Sequence, residues 1–413
     1  MHGPVLPGLL SCRRLAAGVV LIGLAGGLAA AEPAPAVPPP VSARAPAVVS
    51  PEIHGDGRAT LRVFAPQAAK VELGGIMAGQ VKDVPKNFQK DAAGVWTLTV
   101  GPLPPDIYYY VFMVDGVSTP DFNNGRVKAG VRTNQSVFEI SGAAPAYYDL
   151  RADVPHGTVS TLYYDSKAHG GMRQLTVYLP PEYGRDPARR FPVLYLLHGA
   201  GDHDRSWVAE GRANLILDNL LAAGGTEPMV VVMPFLPTAG RGGPARAAEP
   251  ADNPFERDLL GTIMPLVEGR FTVKTGRADT ALAGLSMGGG QTMRVGLGHP
   301  EKFAWIGAFS AAVFGRDRTG GPQLDQFMKS PTTANADYRL IWIGCGRQDG
   351  LFAANETVSR QMAAKGIKHA WHPTEGGHVW TLWREYLRDL LPLLFKNQTS
   401  QDVAAATPPP PAI

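Results

Sequence analysis

The stretch Ala281-Leu282-Ala283-Gly284-Leu285-Ser286-Met287-Gly288-Gly289-Gly290 decides how this chain is read. An apolar run that suits a buried strand stops at a Gly-x-Ser-x-Gly turn and continues into Gln291-Thr292-Met293-Arg294. That is the pattern of a nucleophile elbow, in which a strained strand-to-helix turn pushes the serine Oγ out of the sheet. Side chains two before and two after the serine would collide across the turn, so glycine holds both positions. The N–H groups of the following helix point at the site and favour the negative charge formed in acyl transfer. A glycine-rich turn with an exposed serine would read the same way, so the rest of the chain has to supply the partners.

Around the elbow, apolar strands alternate with amphipathic helices, which means an α/β layered domain over 143–396. His156-Gly157-Thr158-Val159 and Leu175–Pro180 read as its first strands, and Phe191–Leu197 is an unbroken hydrophobic strand of the kind covered on both faces. That strand runs into His198-Gly199-Ala200-Gly201. In serine hydrolases of this layout the N–H after the His-Gly pair and the N–H after the nucleophile bind the oxyanion, here Ala200 and Met287. The side chain of His198 is expected to brace the loop. Asn214–Leu221 has helical spacing and ends at Gly224-Gly225, Met229–Pro234 is the next buried strand, and Asn253-Pro254-Phe255-Glu256 opens a helix with cap, Pro and Glu in place.

The acid and the base should follow the serine, in that order. Arg339–Ile343 reads as a strand, and Asp349 lies in the loop after it, where catalytic groups gather. Asp325 and Asp337 are competitors that follow no convincing buried strand. Ile367–His372 reads as the last strand, followed by Glu375-Gly376-Gly377-His378-Val379-Trp380 and a helix from Trp383 to Phe395. His378 sits on a glycine-flanked loop that can reach across the sheet ends, whereas His369 and His372 belong to the strand. In this reading His378 takes the proton of Ser286, Asp349 orients the imidazole, and an acyl-enzyme forms before water releases it.

The remaining sequence bounds the setting. With 413 residues, 45% apolar and 18% charged, the chain can build two cores. A net charge of +3 with no long basic run gives no reason to expect nucleic acid as a partner. Residues 1–31 read as a secretory signal peptide: Arg13-Arg14, then the run Leu15–Leu24, then Ala29-Ala30-Ala31 as a cleavage site. The run is short and rich in Gly and Ala for a membrane span, so no span is expected after cleavage and the mature chain is expected to be secreted or periplasmic. Cleavage leaves Cys345 as the only cysteine, without a disulfide partner. His198, Asp202, His203 and Asp204 cluster, but their spacing fits no metal-ligand pattern, so no metal is expected. Residues 32–50 form an Ala/Pro-rich leader, and 397–413 a Pro-rich tail without periodicity. Between them, 51–142 reads as short strands and turns, with Trp96, Leu98 and Val100 alternating against Thr97 and Thr99 and an Asp115-Gly116 hairpin turn. This suggests a small all-β sandwich.

Two resemblances extend these readings. Arg62-Val63-Phe64-Ala65-Pro66, Gly94-Val95-Trp96, Leu103-Pro104-Pro105-Asp106-Ile107-Tyr108-Tyr109-Tyr110 and Val114-Asp115-Gly116 resemble the immunoglobulin-like (early-set) modules of glycogen-branching-type enzymes and some secreted esterases. Such relatives sometimes bind glucans through exposed aromatics; for Trp96 and the tyrosine run, core packing is the expected role. Tyr195–Gly201, Gly211-Arg212-Ala213-Asn214 with Asp218-Asn219-Leu220, Ala283–Gln291 and Gly376–Trp380 resemble a secreted esterase family. It includes feruloyl and acetylxylan esterases of carbohydrate esterase family 1 and is related to ferric-enterobactin esterases, S-formylglutathione hydrolases and mycolyltransferases. The resemblance implies an α/β-hydrolase fold and a cofactor-free triad of Ser286, Asp349 and His378. It also implies an oxyanion hole from Ala200 and Met287, and as substrate an acylated carbohydrate or small aromatic ester. Asp202 departs from the family, standing where relatives often have glycine, and is expected to put an acidic group near the acyl side of the cleft. Three alternatives stay open: a siderophore trilactone esterase using arginines such as Arg205, Arg212, Arg241 and Arg246, an acyltransferase, and a carbohydrate-binding protein with an inert hydrolase domain. The oligomeric state is not legible.

Overall fold

A computed structural model describes residues 46–75, 81, 83–130, 134–142, 146–237, 253–313 and 322–396. The expected signal peptide, most of the leader and the tail lie outside the described residues, as do Arg241 and Arg246. Among the described residues no helix is long and apolar enough to cross a membrane.

The site hangs on an eight-stranded sheet whose strands, in chain order, are β1 (Thr158–Ser166), β2 (Gly171–Leu179), β3 (Val193–Leu197), β4 (Val230–Pro234), β5 (Thr280–Leu285), β6 (Trp305–Phe309), β7 (Leu340–Gly346) and β8 (Ala370–Thr374). Their order across the sheet is β1-β2-β4-β3-β5-β6-β7-β8. β2 runs antiparallel to both its neighbours, and β4, β3 and β5 to β8 are parallel. The apolar runs alternate faces as a strand must. Val193, Tyr195 and Leu197 enter one core with Phe255, Val267, Val295, Val358 and Met362, while Leu194 and Leu196 enter the other with Trp207, Ile216, Trp383 and Leu387. Helices therefore cover both faces, and β3 to β7 can be hydrophobic throughout. The direction of winding reverses between β3 and β5, so the loops leaving their C-terminal ends open a crevice there.

In front of this sheet lie two antiparallel sheets. One orders Glu52–Ile53, Ala59–Phe64, Val95–Val100 and Gln89–Lys90; the other orders Val71–Gly74, Asp106–Val114, Gln135–Ile140 and Val127–Lys128. They enclose one core that holds Leu61, Trp96, Leu98, Tyr110, Phe112 and Phe138. Asp115 and Gly116, both at positive φ, turn Asp106–Val114 back into Val117–Thr119. Asp106–Val114 is buried on both sides: Tyr108, Tyr110 and Phe112 face the front core, while Ile107 and Tyr109 join Val137 in the hydrolase core beneath. Trp96 is buried as well and donates its indole N–H to the Ala65 carbonyl. None of these aromatics is left as an exposed platform for sugars. From Ala47 onward the described residues form one compact unit.

Several boundaries differ from the sequence reading: the first two strands run Thr158–Ser166 and Gly171–Leu179, longer than expected, and β3 starts at Val193 rather than Phe191. The last strand starts at Ala370 rather than Ile367, because the Ile367 N–H still caps the Phe352–Ala364 helix through the Met362 carbonyl and Lys368 N–H is taken by Asn335 Oδ1. The final helix spans Trp380–Leu390 instead of starting at Trp383, and Pro392 turns its end into a short 3-10 segment, Leu391–Leu393.

Candidate active site

Ser286 follows β5 directly and holds φ 54°, ψ −116°, a conformation that costs energy for a residue with a side chain. The surrounding backbone fixes it there. Ser286 N–H donates to Phe309 O at 2.8 Å, and its carbonyl accepts from Ala312 N–H at 2.8 Å and Gly290 N–H at 2.9 Å. Space explains the glycines. A Cβ on Gly284 would stand 2.8 Å from the Gly288 backbone, and one on Gly288 would stand 2.5 Å from the His198 carbonyl oxygen.

The structure brings the three sequence-predicted side chains together. Ser286 Oγ lies 2.9 Å from His378 Nε2, and His378 Nδ1 lies 2.8 Å from Asp349 Oδ2. Nδ1 faces a carboxylate and so carries the hydrogen, which leaves Nε2 as the acceptor of the Ser286 hydroxyl. The Asp349 side chain is 1% exposed and the imidazole 38%, so the acid is shielded and the base reaches the crevice. Burial pushes the Asp349 carboxyl up. The His378 hydrogen bond and charge, the Leu351 N–H and the Ser310 hydroxyl outweigh that and hold it below the usual carboxylate range. Asp325 and Asp337 lie instead in or at the end of the helices Pro322–Phe327 and Pro331–Asp337. His369 bonds Ser359 and the Ile367 carbonyl, and His372 stacks on Trp342.

Met287 follows the serine directly, and Ala200 follows Gly199, which lies beside it. A Cβ on Gly199 would stand 3.3 Å from Ser286 Cβ, so the loop after β3 runs alongside the elbow, and Met287 is the first residue of the helix Met287–Gln291. His198 is buried. Its Nε2 accepts the Leu236 N–H at 2.9 Å, so Nδ1 carries the hydrogen and donates to the Gly199 carbonyl at 2.8 Å. Burial pushes this imidazole down to about 4, so it is a neutral brace for the loop.

The expectation for Asp202 is corrected. It does not offer a free acidic group to the cleft, because Lys128 of the front β region pairs with it at 2.5 Å and both are buried. Asp204 is also engaged, by Gln174 and Thr176, and among the described residues no group of His, Cys, Asp and Glu could hold a metal ion. Arg212 bonds Glu139 at 3.1 Å. Cys345 is buried in β7, and burial pushes its thiol up to about 12.

Sequence reasoning did not pick out the residues behind Ser286, His378 and Asp349. Trp383 packs edge-on against His378, with ring centroids 4.8 Å apart, and donates its indole N–H at 3.1 Å to Ser310, whose hydroxyl supports Asp349. Ser310 ends the apolar run of β6, which is a usable signal for a residue at the sheet's C-terminal edge. Lys128 gave no signal, lying in a two-residue strand far upstream.

The sequence family described as Putative esterase matches residues 166–394. An endo-1,4-beta-xylanase/feruloyl esterase of Xylanibacter ruminicola is 33% identical over 355 residues, covering 84% of this chain and 46% of its own length. The chain thus spans about half the length, or less, of the first curated relatives it matches. Among solved structures, a ferulic acid esterase shares 26% identity at a TM-score of 0.51, over 58% of this chain and 97% of the other. The enterobactin esterase of Shigella flexneri shares 19% identity at a TM-score of 0.60, over 82% of this chain and 92% of the other, a likeness of fold.

Proposed function

The chain belongs to the Putative esterase family, and from that premise we propose that it is a secreted serine esterase releasing feruloyl or acetyl groups from plant-wall carbohydrate such as xylan. The observation that carries this reading is the hydrogen-bonded line from Ser286 Oγ through His378 to buried Asp349. Ser286 Oγ attacks the ester carbonyl as His378 Nε2 takes its proton, and Asp349 stabilises the imidazolium. The carbonyl oxygen becomes an oxyanion held by the Ala200 and Met287 N–H groups. His378 then protonates the departing sugar oxygen, leaving an acyl-Ser286, and water activated by the same imidazole releases the acid.

The plant-wall substrate is supported by the xylanase/feruloyl esterase relative and the ferulic acid esterase structure. The likeness to the enterobactin esterase is one of fold, and the engagement of Arg212 by Glu139 removes one arginine a catecholate pocket would use. Export rests on the amino-terminal signal pattern, and N-terminal sequencing of the exported protein tests it: cleavage after the Ala29-Ala30-Ala31 run is expected. The front sheets we read as an early-set immunoglobulin-like module serving as a wall of the enzyme.

Hydrolysis of methyl ferulate, p-nitrophenyl acetate and acetylated xylan, measured beside Ser286→Ala, tests the reading. Turnover that the substitution abolishes is expected, with the preferred ester naming the acyl group. Folded protein that turns over none of the three would overturn it.

A further inference from the structure

One buried contact and one part-buried contact tie the front β region to the loops of the candidate site. The first joins residues 74 apart in sequence: Lys128 Nζ to Asp202 Oδ1 at 2.5 Å, the side chains 6% and 11% exposed. Asp202 closes the turn that starts at Gly199, its N–H donating to the Gly199 carbonyl at 3.3 Å. Its other carboxylate oxygen would stand 3.5 Å from a Cβ on Gly199, and that same Cβ would stand 3.3 Å from Ser286 Cβ. Ala200, with its N–H, lies inside this turn. In the second contact Asp106 accepts from Thr381 and from buried Arg384, on the helix that begins two residues after His378.

We propose that Lys128 is a positioning residue for ester hydrolysis, its ammonium holding Asp202 so that the Gly199–Asp202 turn presents the Ala200 N–H to the oxyanion. The proposal rests on the reading of Ala200 given above. Its physical basis is asymmetry: once Lys128 is gone, Asp202 is an uncompensated buried carboxylate and the turn relaxes to hydrate it. An oxyanion donor acts only if it is already aimed, and a displacement of about 1 Å costs roughly 10²-fold in rate. Because the oxyanion exists only in the transition state, the loss falls on kcat and not on KM. The front region is then part of the catalytic apparatus, whatever else it binds.

The test is kcat and KM for p-nitrophenyl acetate, a substrate indifferent to the identity of the natural ester. Wild type is compared with Lys128→Met, Lys128→Arg, the double variant Lys128→Met/Asp202→Asn, and Ser286→Ala. Lys128→Met is expected to lose roughly 10- to 100-fold in kcat with KM within about threefold. Lys128→Arg should recover part of that loss. The double variant removes both charges of the pair together, so it is expected to fold with a melting temperature near wild type and still to be at least roughly tenfold slow. A folded double variant within about twofold of wild type in kcat, or a loss seen in KM alone, overturns the proposal. So does a double variant that cannot fold, which would assign the pair to folding. Wild-type turnover by Ser286→Ala would instead sink the reading of the site itself, independently of Lys128.

Discussion

At the scale of single residues, the site is a set of groups whose protonation states are set by what faces them. Asp349 is held ionised, and His378 is held in the tautomer that leaves Nε2 open to Ser286. Asp349→Asn keeps an acceptor for the Leu351 N–H but can donate its amide to Nδ1 and so invert the tautomer. It is expected to remain folded and to lose roughly 10³–10⁴-fold in kcat, read with p-nitrophenyl acetate against unchanged circular dichroism. Glu210 makes a pH-dependent case. Burial lifts its carboxyl from 4.5 to about 7, with Lys128 pulling it down and Asp202 pushing it up. The unfolded chain gives up this proton near the ordinary value and the folded chain holds it to about 7, so stability is lost as pH rises through that window. Glu210→Gln removes the titration. Its stability in urea should match wild type near the low end of the window and exceed it by about 3 kcal/mol above the high end. Parallel curves across pH would contradict the assignment.

At the scale of elements, the elbow and the two loops beside it work because backbones touch where side chains would not fit. Gly288→Ala puts a Cβ 2.5 Å from the His198 carbonyl and 2.7 Å from that of Leu197, both backbone atoms in a braced loop. The expected cost is about 1–3 kcal/mol in denaturant unfolding, with activity down by roughly 10²-fold as the serine and the loop after β3 separate. A variant with wild-type stability and rate would show that the loop yields. This level was the most legible in the sequence. The elbow glycines, β3 running into His198-Gly199, and the loops after β7 and β8 all announce themselves through unbroken apolar runs that stop at turn residues. What the sequence withheld were partners fixed by long-range packing: Ser310 and Trp383 behind Asp349 and His378, and Lys128 under Asp202. Local pattern carries no register between a front strand and a loop after β3, so the pairing of Asp202 with Lys128 could not be read. The ends of the last strand and helix shifted for a similar reason, since caps at Ile367 and Pro392 act against the apolar periodicity.

At the scale of the whole molecule, the front sheets and the hydrolase share buried surface. Ile107, Tyr109 and Val137 belong to the same core as Trp207, Trp380 and Trp383, and Arg384 is buried against Asp106 and the Glu210 carbonyl. A fragment starting at residue 146 would expose that apolar surface and leave the Arg384 guanidinium without its carboxylate. It is expected to bind a hydrophobic dye and to lack a cooperative melting transition, whereas the chain from residue 47 is expected to melt as one unit. A fragment that melts cooperatively at the temperature of the longer chain would show the front region to be an appendage. The central claim, that Ser286 is acylated during ester hydrolysis, is tested most directly by the pre-steady-state burst with p-nitrophenyl ferulate. Wild type is expected to release a rapid burst approaching one p-nitrophenol per chain before slower turnover, with a feruloyl group recovered on the peptide that contains Ser286, and Ser286→Ala is expected to give neither. Turnover by Ser286→Ala at the wild-type rate, or a feruloyl group recovered on another residue, would contradict it.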